Sequence, residues 1–190
     1  SANEQVDFLR KEVKQHLKDE SFELVTRSEV AVINPLQVEP KGTAEWRMCT
    51  DMRYVNAYLA HPVFRLENLQ KNAPDVVKKG NLMFTSDLKK AYYRVLMAKE
   101  AWKFLAFEID GLLVRSRVML FGLSTAPVVF HKIMRQVIRF LRVLKILVLN
   151  YLDDFLFSED MKRVAALAEF VRWLLLRLGW MFSHKSEFET

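Results

Sequence analysis

The sequence predicts an α+β fold, with helices packed on one face of an antiparallel sheet. Three observations carry that expectation. Residues 104–109 and 112–118 are apolar, β-forming runs joined by Asp110-Gly111, a strong hairpin signal. A second hairpin is read over 147–157, where two apolar runs flank Asp153-Asp154. Two further stretches place apolar residues at helical spacing. One carries Val128, Phe130, Ile133, Met134, Val137, Ile138 and Leu141, the other Val164, Leu167, Ala168, Val171, Leu175 and Leu178.

The remaining elements follow in chain order. Residues 3–19 are polar with Val6, Phe8, Val13 and Leu17 as the apolar positions, a surface helix. Residues 29–33 read as a short strand closed by Asn34-Pro35. Gly42 marks a turn, followed by an alternating strand from Glu45 to Asp51. Arg47 and Arg53 flank that strand; they can clamp phosphates, or simply pair with Glu45 and Asp51. A helix is expected over 66–79, disturbed by Pro74 and ended by Gly80-Asn81. Residues 82–87 form a strand finishing on Asp87, whose ordinary role is to cap a helix over 88–95. Of Tyr92 and Tyr93, one can be plain core. Residues 120–124 are a loop, with Ser124 capping the first long helix and Pro127 tolerated in its first turn. That helix has a second, basic side at Lys132, Arg135, Arg139 and Arg142. The last helix spans 161–178, Gly179 stops it, and a final strand begins at 180–183.

Composition bounds the function. A chain of 190 residues suits one domain, or one with a small appended lobe, and its apolar half can bury a sizeable core. The net charge of +6 and pI near 9.4 permit a nucleic-acid partner without proving one. The single cysteine, Cys49, excludes an internal disulfide and fits a reducing compartment. Apolar runs are broken by Arg139, Arg142 and Lys145 before reaching membrane-spanning length. No signal peptide is read, and the initial Ser points to an excised or processed piece.

The chemistry is expected at the acids. A bare Asp-Asp pair is most often an ordinary turn. Here, however, two like charges sit between hydrophobic strands, a costly placement unless a cation is bound. A divalent metal suits carboxylate oxygens. In an antiparallel sheet the end of the Asp87 strand can lie beside the Asp153-Asp154 turn. Three acids gathered there make a two-metal site for in-line phosphoryl or nucleotidyl transfer.

Five ordered motifs over about 29–188 give the sequence a family resemblance. They are Trp46-Arg47 with Asp51, Arg53 and Asn56; Ser86-Asp87-Leu88 with Ala91-Tyr92; Phe121-Gly122-Leu123-Ser124-Thr125-Ala126-Pro127-Val128-Val129-Phe130; Tyr151-Leu152-Asp153-Asp154; and Leu178-Gly179 with Lys185-Ser186-Glu187. Together they resemble the fingers and palm of a reverse transcriptase, of the long-terminal-repeat and tyrosine-recombinase retrotransposon groups and, more distantly, of retroviruses. The resemblance implies a right-hand polymerase palm with fingers. It divides the chain into an N-terminal helical segment over 1–28, fingers over 29–80 with a share of 111–135, and palm over 81–190, with thumb, connection and RNase H absent.

It also implies roles. Asp87, Asp153 and Asp154, with the Leu88 carbonyl, hold two Mg²⁺ ions, for which Mn²⁺ can substitute. Arg47 pairs with the nucleotide phosphates, with Lys41 a second candidate. Tyr92 stands where the family's steric gate selects dNTPs over ribonucleotides. Phe121 and Gly122 pack against nucleotide and template base, and Lys185 protonates the departing pyrophosphate. The implied partners are dNTPs and a primed RNA or DNA template, with no membrane and an intracellular setting. Leu120 departs from the family in replacing a proline, and Lys145 stands where a turn glycine is common. The chain stops at Thr190, before a thumb, which weakens the expected grip on duplex. The alternative is a non-catalytic module of the same fold that binds nucleic acid or scaffolds an assembly. An RNA-copying RNA polymerase shares the acids, but a bulky Tyr92 would reject its substrate.

Overall fold

The structure, a computed structural model, describes residues 2–42, 45–60 and 62–183. In chain order the elements are α1 (Ala2–Lys18), β1 (Phe22–Leu24), β2 (Leu36–Lys41), β3 (Glu45–Thr50), α2 (Arg53–Asn56), α3 (Leu69–Val76), β4 (Asn81–Asp87), α4 (Lys99–Trp102), β5 (Ala106–Ile109), β6 (Leu112–Ser116), α5 (Ala126–Val143), β7 (Leu147–Tyr151), β8 (Asp154–Asp160) and α6 (Val164–Arg177). Short 3₁₀ turns cover Arg27–Glu29 and Tyr92–Arg94. The chain divides into two compact units, residues 1–61 with 92–126, and residues 62–91 with 127–190. Among the described residues no helix is long and apolar enough to cross a membrane.

The first unit holds a three-stranded sheet in the order β1-β6-β5 and the separate ribbon β2-β3, all antiparallel. The β5–β6 hairpin turns on Asp110-Gly111, both left-handed with φ +51° and +74°, as a two-residue primed turn requires. Its core is aromatic: Phe22 and Phe107 meet edge to face at 5.4 Å, and Tyr93 meets Phe22 at 6.1 Å. These rings are buried together with Val114 and Leu105.

The second unit is built on the antiparallel sheet β4-β8-β7. Phe84, Phe155 and Phe157 stack through its centre, where aromatic cross-strand contacts stabilise a sheet best. Phe130, Met134, Ile138 and Leu141 form the buried stripe of α5, and Val164, Leu167, Ala168, Val171 and Leu175 that of α6. Both helices end in the same capping pattern. After α6, Gly179 (φ +88°) donates to Leu176 O and Trp180 to Leu175 O. After α5, Lys145 (φ +63°) donates to Arg142 O and Ile146 to Leu141 O. Lys145 thus takes the left-handed position that glycine occupies at lowest cost.

Several sequence expectations need correction. Residues 29–33 are not a strand; only Ile33 bridges, to Ala106, and the Asn34 amide is buried, donating to Phe104 O and Ala106 O. Burial of one polar side chain on two carbonyls replaces the ladder that an apolar run suggested. Strand β2 was hidden by Pro40, which is tolerated because a two-stranded ribbon has outward-facing edges. The helix expected over 66–79 is shorter, Leu69–Val76, with Pro74 inside it and Asn68 as its cap. No α-helix covers 88–95; a 3₁₀ turn takes its place, so Asp87 ends a strand without capping a helix. Helix α5 begins at Ala126, and the Ser124 N–H is donated to Asn56. Among the described residues the strands are distributed over three antiparallel sheets, the expected α+β arrangement being kept.

Candidate active site

The acids converge at one end of the second unit's sheet. Strand β4 ends on Asp87 and β8 begins on Asp154, and the two are the last cross-strand pair of their ladder. Tyr151 pairs with Asp154 to close the β7–β8 hairpin, leaving Leu152-Asp153 as its two-residue turn. Such a turn needs a left-handed residue, and Leu152 supplies it at φ +55°. A branched side chain in that region costs about 1–2 kcal/mol, strain of the kind that collects at functional sites. The Asp153 carbonyl accepts the N–H of Leu88 at 3.1 Å, tying the turn to the residue after Asp87.

A second segment flanks Asp87 on its other side. Ser183 donates its N–H to Asp87 O at 2.9 Å and its hydroxyl to Oδ2 at 2.6 Å, and Lys89 N–H reaches Met181 O at 2.7 Å. Asp87 and Asp153 are half-buried and Asp154 is exposed. Carboxylates opposed across a ladder repel, and hard oxygen donors of this kind suit Mg²⁺ or Mn²⁺. Among the described residues, no three acidic, His or Cys side chains are drawn together closely enough to hold a metal ion. The donors fit a hard cation by chemistry and by register.

The first unit gathers other residues singled out in the sequence. The Arg47 guanidinium lies over the Phe121 ring at 5.0 Å, and the Tyr92 ring meets Phe121 at 4.8 Å. Phe121 O accepts from Thr50 N–H at 3.1 Å, laying this loop against β3. Gly122 follows at φ +105°, and a Cβ there would stand 1.9 Å from Thr50 O; only glycine fits so close an approach. Asn56 secures the loop from α2, donating to Gly122 O at 2.8 Å and accepting from Ser124 N–H at 2.9 Å.

Lys41 sits toward the tip of the β2–β3 ribbon, paired with Glu45 at 3.3 Å. Arg53 pairs with Asp51 at 2.6 Å, and its hydrogen bonds hold the Asp51 carboxyl below the usual carboxylate range. Tyr93 is the core residue of the tyrosine pair, 8 % exposed against half-buried Tyr92, and burial pushes its hydroxyl up in pKa. Lys185 lies outside the described residues. The basic side of α5 is not uniform: Arg142 is drawn into an ion pair with Glu67.

Sequence reasoning missed Ser183 and Asn150, which bond to Asp87 and to the acidic turn, and Glu67, which bonds to the Asn150 N–H. Asn150 carried a signal, being a polar residue poorly suited to strands within an apolar run.

Comparison with known proteins identifies the fold and the family. The family model described as reverse transcriptase (RNA-dependent DNA polymerase) matches residues 39–187. The Transposon Tf2-3 polyprotein of Schizosaccharomyces pombe is 27% identical over 159 residues, 80% of this chain and 11% of that protein. An uncharacterized protein of Caenorhabditis elegans is 30% identical over 128 residues, 65% of this chain and 9% of that protein. The chain therefore spans about a tenth of the length of these curated relatives. Among solved structures, the foamy viral protease-reverse transcriptase in complex with dsDNA superposes with a TM-score of 0.78 at 20% identity, over 92% of this chain and 35% of that one. A second foamy viral complex with DNA gives 0.77 at 22% identity, over 90% and 29%. The fold is thus the mixed helix and antiparallel-sheet arrangement of reverse transcriptase palm and fingers. The chain belongs to the reverse transcriptase (RNA-dependent DNA polymerase) family, of the retrotransposon and retroviral kind.

Proposed function

We propose that this chain carries the nucleotidyl-transfer centre of an RNA-directed DNA polymerase, adding dNTPs to a primer 3′-hydroxyl on an RNA or DNA template. The observation that carries the reading is the Asp87–Asp154 pair at the end of the β4–β8 ladder, with Asp153 in the adjoining turn. Asp87, Asp153, Asp154 and the Leu88 carbonyl would hold two Mg²⁺ ions, or Mn²⁺ in their place. When bound, such a pair activates the primer hydroxyl and neutralises the leaving pyrophosphate.

The other roles belong to this chain's own side chains. Arg47, already oriented over Phe121, offers a planar fork to nucleotide phosphates, with Lys41 a second candidate for the same role. Phe121 and Gly122 present a ring and a bare backbone against which a base can pack. Tyr92 screens the sugar for a 2′-hydroxyl. Lys185 is the proposed proton donor to the departing pyrophosphate. Fingers over 29–80 with a share of 111–135, a palm over 81–190, a helical segment over 1–28 and an intracellular setting belong to the same reading. The basic surface at Lys132, Arg135 and Arg139 favours a nucleic-acid partner.

A non-catalytic nucleic-acid-binding or assembly module is the second reading; the basic surface at Lys132, Arg135 and Arg139 fits it as well. Primer extension separates the two. The full-length product of the gene should extend a DNA primer on RNA and DNA templates, and Asp154→Asn should reduce extension to background. Binding of primer–template without extension, under Mg²⁺ and under Mn²⁺, identifies the module.

A further inference from the structure

The acidic turn is held from behind by residues that carry no acid chemistry for the reaction. Asn150 Nδ2 donates to the carbonyl of Leu152 at 2.7 Å and to that of Asp154 at 3.2 Å. One amide thereby grips the main chain on both sides of Asp153. Asn150 is only 6 % exposed, so little water competes for those bonds, and both of its N–H groups have carbonyls to reach. The first of these carbonyls belongs to Leu152, whose backbone is left-handed.

Asn150 is pinned in turn. Among the described residues β7 is an outer strand, paired with β8, and its other edge would present unpaired N–H and C=O groups. Glu67 Oε2 accepts the Asn150 N–H at 3.0 Å, and Arg142 donates to Val148 O at 2.9 Å. Arg142 also pairs with Glu67 Oε1. These charge-assisted bonds close the strand edge and hold the residue that holds the turn.

We propose that Asn150 is a positioning residue for the acidic turn, setting where Asp153 and Asp154 stand relative to Asp87 for a divalent cation. The proposal rests on the reading of these acids as a metal site. Residues that orient metal ligands through hydrogen bonds contribute about 10–100-fold in affinity.

The experiment is a titration of the chain with Mn²⁺ alone, followed by the electron paramagnetic resonance signal of the free ion, with circular dichroism to report the fold. Asn150→Leu keeps the branched outline of the side chain and removes both donors. Asn150→Gln keeps the amide and displaces it by a methylene. The wild type should bind Mn²⁺, Asp154→Asn should lose it, and both Asn150 variants should keep the wild-type spectrum while binding about tenfold more weakly. If wild type binds, Asp154→Asn does not, and both Asn150 variants bind as wild type does, the positioning role is wrong and the metal site stands. If the wild type binds no Mn²⁺, both fall. If neither Asn150 variant folds, the proposal also fails, because Asn150 would then be holding the core rather than the turn.

Discussion

Asp87 and Asp154 face each other as the terminal pair of the β4–β8 ladder, two carboxylates opposed where a sheet ordinarily avoids like charges. Because that repulsion lives in the cation-free protein, Asp154→Asn should stabilise it in metal-free buffer, by up to about 1 kcal/mol. For a chain of this size that is a Tm gain of about 2–4 °C. Mg²⁺ or Mn²⁺ should raise the Tm of the wild type and leave the variant unmoved, as a ligand that binds the native state does. Thermal melts with and without chelator decide it; a wild-type Tm indifferent to metal argues against a site at this ladder end.

The two adjacent tyrosines should separate cleanly. In an active polymerase containing this chain, Tyr92→Ala should raise ribonucleotide incorporation while dNTP use falls much less, since exclusion by a ring is steric. Tyr93 is buried among Phe22, Phe121 and His16, so Tyr93→Ala should instead cost about 3–5 kcal/mol of stability. Single-nucleotide incorporation and urea denaturation measure the two effects. Relaxed sugar choice in Tyr93→Ala, and not in Tyr92→Ala, would move the motif's register by one residue.

Gly122→Ala should be severe. A methyl 1.9 Å from Thr50 O has to displace the loop or β3, at a cost of at least about 2 kcal/mol, and the Phe121 ring moves with it. A chemical-denaturation midpoint matching the wild type would show that the loop yields freely.

Lys145→Gly should act in the opposite direction. Helices α6 and α5 end alike, one on Gly179 and the other on Lys145 at φ +63°. Relieving the left-handed side chain should stabilise by about 0.5–1 kcal/mol after glycine's own entropy loss. Equilibrium unfolding of the single variant is sufficient to test it.

The Arg10–Asp110 pair predicts a pH dependence. Hydrogen bonds from Arg10 at 2.8 and 2.9 Å, and then its charge, hold the Asp110 carboxyl below the usual range. A depressed native pKa contributes stability that is complete above the unfolded value, about 3.9, and is lost as pH falls through the native one. Arg10→Gln should therefore be less stable than wild type at neutral pH, with the gap closing in acid and shrinking with salt because the pair is exposed. Carboxyl NMR titration of Asp110 should show its pKa rising in the variant.

The division between sequence and structure follows the range of the forces involved. The Asp110-Gly111 hairpin, the hairpin carrying Asp153-Asp154, the apolar stripes of α5 and α6 and the strand ending on Asp87 are legible locally. Period, turn chemistry and caps are set by residues within a few positions of one another. The pairing of Asp87 with an acidic turn follows once those strands share a sheet. Only the tertiary structure decided the fates of groups whose partners lie far along the chain. Asn34 is recruited to Phe104 and Ala106 and so breaks an apparent strand. Arg142 leaves a basic helix face to join Glu67, 75 residues away, at the rim of β7. Buried polar groups must find partners wherever the fold offers them, and no local pattern states which partner that will be.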